Sequence, residues 1–368
     1  MMKFVLFLLL PIYDVYGDCK QSPTTVSGSH APKNVCSGEL IFEEKFDKID
    51  NGIWQHEQTL GGGGNGEFQW YSDDPKNSYV QDGKLHIKPT LLTDEHNEDF
   101  LYSGTIEIPP DKCTNKDNNG CKRTGNSRVI LNPIKSARLN TVNSFAFKFG
   151  KMEVRAKVPA GDWLWPAIWL LPKDWKYGGW PRSGEIDVME SRGNRQLYAG
   201  NKNIGVDEVA CTLHWGPDPA HNQWEKTHYE KNLNGGFDKD FHKYQLEWTP
   251  EHIQLSIDDA VVGTVTPPGG GFWELGNLQQ TGMQNLWTNS KMAPFDQNFY
   301  IILNLAIGGT SYYFPDNTNN VPGPRPWSNA ADNAMTTFWQ GKGEWLPTWK
   351  MNTDDSHLQV DYVKVWAL

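Results

Sequence analysis

Gly184-Glu185-Ile186-Asp187-Val188-Met189-Glu190-Ser191 interleaves three carboxylates with apolar residues, a pattern that only a half-buried strand can sort. Side chains alternate faces along a strand, so Glu185 and Asp187 share one face while Ile186 and Val188 point into a core. Glu190 breaks the alternation. In a regular strand it falls on the core side, where an unpaired carboxylate is costly. One extra residue, a β-bulge near Met189, returns Glu190 to the face of the other two acids.

The rest of the chain has the same texture. Lys84–Lys88, Lys151–Val158 and Gln254–Ile257 alternate with period two, and further strands are expected at 38–42, 145–149, 165–171, 184–191, 209–215, 242–248, 298–305 and 358–366. No long helical period competes with them. Many short strands separated by Gly, Pro and Asn predict an all-β fold of two stacked antiparallel sheets. Long irregular segments at 92–127, 216–240, 266–296 and 310–356 carry Trp, Tyr and Phe, so they are expected to wall a groove. There is no internal repeat.

Met1-Met2-Lys3, an apolar run from Phe4 to Ile12 and the small residues Val15 and Gly17 form a secretory leader layout, predicting cleavage after Gly17 and an extracellular protein. No later run approaches the about 18 apolar residues that a membrane span needs. The expected organisation is a leader at 1–17, an N-terminal segment at 18–37 and one sandwich domain at 38–368. A net charge of −10 and the lack of a Lys/Arg cluster argue against nucleic acid or a phosphate-rich membrane surface as partner. Of the five cysteines, Cys19 with Cys36 and Cys113 with Cys121 are the local pairing candidates, which leaves Cys211 as a buried free thiol in a strand. No Asn-x-Ser/Thr sequon is present.

With 44 acidic residues in 368, a three-acid pattern at fixed offsets is expected roughly 0.6 times by chance, so the flanks must carry the specificity. They are Trp163-Leu164-Trp165-Pro166-Ala167-Ile168-Trp169-Leu170-Leu171-Pro172 and Gly179-Trp180-Pro181-Arg182-Ser183 upstream, with His214-Trp215-Gly216 and Leu303-Asn304-Leu305-Ala306-Ile307-Gly308-Gly309 downstream. Together these motifs resemble glycoside hydrolase family sixteen in its laminarinase branch, over about residues 38 to 368. Within that branch the likeness is strongest to the invertebrate lipopolysaccharide and β-1,3-glucan binding proteins. The resemblance sharpens the fold to a jelly-roll β-sandwich of two curved antiparallel sheets with a substrate cleft on the concave face. It also implies a monomer that acts on β-1,3-glucan polysaccharide without a cofactor. The extra N-terminal glucan-binding module of the insect proteins is not expected.

Retaining glycoside hydrolysis needs a nucleophilic carboxylate and a carboxylic acid about 5–5.5 Å apart. The resemblance assigns Glu185 as nucleophile, Glu190 as acid/base and Asp187 as the group that tunes the nucleophile. Like-charge repulsion among three acids raises at least one pKa and keeps a proton available. Trp165 and Trp169 match the family's sugar-stacking tryptophans and share one strand face, and Trp180 precedes the catalytic strand. Asn65 lies in a Gly-rich loop that resembles the entry to the cleft, Arg155 matches a substrate-contacting arginine, and His214 is placed to hydrogen-bond near the acid/base. Trp163, Trp215 and Trp70 divide evenly between cleft and core.

Many relatives hold a structural calcium with a first-strand Glu and a C-terminal Asp. Asp361 matches the latter, but Lys45 stands where the Glu is expected, so no metal is expected and a Lys45–Asp361 ion pair is predicted instead. Two functions follow from the resemblance: a secreted endo-β-1,3-glucanase, or a non-catalytic recognition protein that binds the same glucan. Retention of all three acids favours hydrolysis. A lectin-like sandwich for another glycan is the third reading, and charge gives no support to lipopolysaccharide as ligand.

Overall fold

A computed structural model describes residues 19–368, so the leader expected at 1–17 lies outside the described residues. Two open sheets stack face to face. The first has nine strands, running Thr25–Ser27, Ala146–Lys148, Phe299–Ile307, Leu164–Pro172, Glu185–Ser191, Glu208–His214 and His228–Asn232, with Arg138–Asn140 also on Phe299–Ile307 and Gln55–His56 on Arg138–Asn140. The second has eight, running Ala260–Val265, Ile253–Ile257, His242–Trp248, Gly150–Lys157, Leu358–Trp366, Lys84–Ile87 and Ser78–Gln81, with Leu40–Glu44 also on Leu358–Trp366. All pairings within these two sheets are antiparallel.

Alternation decides the layers. In Gly150–Lys157, Met152, Val154 and Ala156 are buried while Lys151, Glu153, Arg155 and Lys157 face outward. Across the interface, Ile168, Leu170, Ile186 and Val188 of the first sheet join Met152, Val154, Leu246 and Val363 of the second in one core. Leu164–Pro172 and Phe299–Ile307 are buried almost throughout, because segments outside the sheets cover their second face. Part of that cover, with Tyr313 on Trp165, comes from the segments expected to be irregular, and Gln69, Tyr71 and Ser136 supply more; the irregular segments also hold more structure than their sequence predicts. A Thr105–Glu107 and Lys122–Thr124 hairpin, the Ala334–Gln340 helix and the His228–Asn232 edge strand all lie within them.

The 18–37 segment is also not a separate preface, since Thr25–Ser27 pairs with Ala146–Lys148 at the edge of the first sheet. Both local disulfides form, Cys19–Cys36 and Cys113–Cys121, and Cys211 is a buried free thiol. Among the described residues no helix is long and apolar enough to cross a membrane.

Leu303 sits fully buried on the strand that joins Arg138–Asn140 to Leu164–Pro172. Leu303→Ala is expected to lower unfolding free energy by about 2–5 kcal/mol in urea titrations, the range for an unfilled core cavity.

Candidate active site

The bulge is present and sits at Val188–Met189. Asp187 pairs with Thr212 and Glu190 with Ala210, so three steps on one strand meet two on the other. Val188 and Met189 are both fully buried. The strand beyond supplies Cys211 opposite the bulge, and its thiol donates to the Val188 carbonyl at 3.1 Å. Burial first, then the charges of Asp187 and Glu190, pushes that thiol up to about 12, so it stays a neutral donor.

With the register restored, the outer face carries cross-strand rows. One runs Arg138, Asn304, Ala167, Glu190, Ala210, and the next Ile302, Trp169, Asp187, Thr212. Glu185 is paired with His214. The small side chains of Ala167 and Ala210 stand on both sides of Glu190.

Glu190 is held by an identifiable donor, while Glu185 and Asp187 face a histidine. Trp165 Nε1 donates to Glu190 Oε1 at 2.8 Å, and the Trp165 ring lies flat on Tyr313, centroids 3.8 Å apart and planes within 4°. Arg192 covers Tyr313 at 4.3 Å and donates to its carbonyl at 2.8 Å. His214 Nε2 lies 3.2 Å from Asp187 Oδ2 and 3.8 Å from Glu185 Oε1. Its tautomer follows from Asn222. The Asn222 Oδ1 accepts from the Trp215 amide at 3.2 Å, which turns Nδ2 toward His214 Nδ1 at 2.8 Å and leaves the ring proton on Nε2, facing the acids. Exposed Trp180 and Trp224 flank His214, with ring centroids at 5.7 and 6.4 Å.

The electrostatics follow from this crowding. Burial first, then the charge of Asp187, pushes Glu185 from its ordinary 4.5 up to about 8, while His214 opposes the shift. Asp187 is raised well above the carboxylate range, by burial and then by the charge of Glu190, with a hydrogen bond to Glu185 opposing. The row therefore retains a proton at neutral pH instead of carrying three full charges. Glu185, Asp187 and His214 also bring one ligand-capable atom each within 4.8 Å of one another. The nitrogen a cation would need is the one His214 turns to Asp187.

The structure gathers Glu185, Asp187, Glu190, Trp165, Trp169, Trp180 and His214 on or beside one face. Trp165 differs from its expected use. It is 7% exposed and one face is covered by Tyr313, so it braces Glu190 and offers a ligand an edge, not an open stacking platform. Trp169 is half-buried, with Arg138 over one face at 4.5 Å and its Nε1 donating to Asn304 at 2.6 Å. Asn65 reaches the row indirectly. Its amide donates to Glu67, which accepts from Tyr71, which accepts from the Asn304 amide. Trp163 and Trp215 are core residues.

Arg155 is not at the site. It lies on the outer face of the second sheet, paired with Asp361 at 2.5 Å and stacked 4.9 Å from the Phe241 ring. The same pair displaces the predicted Lys45–Asp361 contact, and Lys45 bonds Glu43 at 3.1 Å instead. Alternation tells which residues of Gly150–Lys157 face outward but not which sheet the strand joins. Trp224 and Tyr313 lie in two of the aromatic-bearing segments expected to wall a groove, whereas Arg138 and Asn222 have no distinguishing mark in the sequence.

Residues 110–289 match the family described as Glycosyl hydrolases family 16. A β-1,3-glucan-binding protein of Penaeus monodon is 47% identical over 340 residues, covering 89% of this chain and 90% of that one. The chain belongs to glycosyl hydrolase family 16. A further relative, β-1,3-glucan-binding protein 1 of Galleria mellonella, is 37% identical, covering 95% of this chain and 67% of its own length. The fold matches the laminarinase of Rhodothermus marinus with a TM-score of 0.56 at 24% identity, covering 90% of this chain and 98% of that one. It matches the endo-β-1,3-glucanase of Pyrococcus furiosus with a TM-score of 0.55 at 23% identity, covering 90% and 94%.

Two outcomes follow from this geometry. Between about pH 4.5 and 8 folded Glu185 holds a proton that the unfolded chain has released, so stability falls as pH rises through that window. Glu185→Gln is expected to raise Tm relative to the parent at pH 8 and to lose that advantage at pH 4 in a thermal-melt series. Arg155→Ala is expected to leave glucan binding unchanged and to cost at most about 1 kcal/mol in denaturant titrations, as for other partly exposed ion pairs.

Proposed function

We propose that this family-16 chain hydrolyses laminarin-type β-1,3-glucans internally, by double displacement with retention of configuration. The proton that the crowded row holds on Glu185 at rest passes to Glu190 when the glucan binds; Glu190 gives it to the glycosidic oxygen while Glu185, now a carboxylate, attacks the anomeric carbon. The C–O bond breaks and a glycosyl ester forms on Glu185. Glu190, now a carboxylate, takes a proton from water, whose oxygen attacks the same carbon and releases Glu185. Asp187, its pKa raised by burial and then by the charge of Glu190, hydrogen-bonds Glu185, so the pair shares a proton and spreads the charge that appears on Glu185 when the ester is cleaved.

The observation that carries this reading is the one-residue bulge, which turns Glu190 onto the face of Glu185 and Asp187 and seats it on the Trp165 indole. The exposed rings of Trp180 and Trp224 beside His214 provide apolar faces for sugar rings. The sequence leader and two disulfides support an extracellular setting for a soluble polysaccharide ligand.

A second reading is favoured by one specific observation: the relatives from Penaeus monodon and Galleria mellonella carry the name β-1,3-glucan-binding protein. In that reading the same groove binds the glucan and hydrolysis is weak or absent. The acids separate the two readings. A binding groove has no use for a buried carboxyl held against a second one by a bulge, whereas bond cleavage requires both.

Reducing-sugar release from laminarin tests the proposal. Glu185→Gln is expected to bring release to background while laminarin still binds, and Glu190→Gln to slow it by about 10²–10⁴-fold. Equal release by the parent and Glu185→Gln would refute the assignment, and binding without release by the parent would establish the recognition reading.

A further inference from the structure

A second polar cluster lies on the other sheet, away from the carboxylate row. Leu85 and Ile87 of Lys84–Ile87 enter the core, so alternation throws His86 outward. There it stacks on its cross-strand neighbour Tyr79, ring centroids 5.2 Å apart, and meets His357 at the start of the last strand. Both histidines are 2% exposed. Asp354, from the turn that leads into the last strand, closes the group, with its side chain 48% exposed.

The distances are those of a coordination shell. His86 Nδ1 and His357 Nδ1 are 3.2 Å apart. His357 Nδ1 is 3.4 Å from Asp354 Oδ1 and 3.4 Å from the Tyr79 hydroxyl. One ligand atom from each of His86, Asp354 and His357 lies within 4.8 Å of the others. Four ligands placed tetrahedrally at about 2.0–2.1 Å from zinc are separated by about 3.3–3.4 Å, and the spacings of His86 and Asp354 from His357 fall close to this. Both rings turn the same nitrogen inward, and the remaining nitrogen of His357 is buried without a partner.

We propose that His86, His357 and Asp354 form a binding site for a divalent transition ion, zinc in the first instance. Two imidazoles with one carboxylate select zinc-like ions over calcium or magnesium, which take oxygen shells. The fourth position falls to the Tyr79 hydroxyl or to water, and exposed Asp354 marks the way in. The ion would tie the 350–357 turn to Lys84–Ile87, so its effect is on stability and not on the carboxylate row.

The test uses untagged chain stripped with chelator and titrated calorimetrically with Zn²⁺, with Ca²⁺ and Mg²⁺ in parallel. One equivalent of Zn²⁺ is expected to bind and to raise Tm, with no response to the other two ions. Asp354→Asn, at an exposed position, is expected to weaken binding by at least about tenfold, the loss that follows removal of even an outer partner of a metal ligand. His357→Gln should abolish the tetrahedral visible spectrum given by Co²⁺ in the parent. Glu185→Gln, which alters the other cluster able to gather three ligand atoms, should keep the full equivalent. No Zn²⁺ uptake by the parent overturns the proposal. So does uptake that survives both Asp354→Asn and His357→Gln, or that is lost in Glu185→Gln.

Discussion

A strand that must present acids at three positions and bury apolar residues between them cannot keep strict alternation. The extra residue at Val188–Met189 resolves the conflict, and much of the local structure is organised around it. Both bulged side chains enter the core. The carbonyl that the bulge leaves without a ladder partner is taken by the Cys211 thiol, which gives this unpaired cysteine a structural use. Neighbouring strands place Ala167 and Ala210 beside Glu190, so the carboxyl recovered by the bulge is not buried again by larger neighbours.

Crowding three acids works against the fold, and the surroundings offset it in two different ways. Glu190 is braced through an aromatic stack, with Arg192 over Tyr313, Tyr313 on Trp165, and the indole N–H on the carboxylate. Glu185 and Asp187 are served by a histidine whose proton is aimed at them by Asn222, itself oriented by the Trp215 backbone. The first brace is packing with one hydrogen bond, and the second is an electrostatic contact, with His214 Nε2 3.2 Å from Asp187 Oδ2. Both fix side chains before any ligand arrives, which is what a preorganised site requires.

Much of this is legible in the sequence, for a physical reason. Alternation and turn residues are local signals, and they place Leu164–Pro172, Glu185–Ser191, Glu208–His214 and Leu358–Trp366 to within a residue or two. The bulge is legible because Glu190 violates a local rule. Arg155 is misplaced by sequence because local pattern fixes the face of a strand but not the sheet it joins. Trp165 reads as an open platform because its covering residue, Tyr313, comes from a loop far along the chain. Arg138 carries no local mark, since its importance depends on which strands end up adjacent, and Asn222 none because its contact with His214 depends on how the connection after Glu208–His214 turns back.

Family membership leaves open whether this chain cuts a glucan or only holds one, and the roles proposed for the three carboxylates make the two readings distinguishable. The most direct measurement is proton NMR of the reducing ends first released from laminarin by the wild-type chain. Attack by Glu185 followed by water activated at Glu190 predicts that the β anomer appears first and equilibrates with α only later. Initial α product, or no product at all, would contradict the roles assigned to the three carboxylates.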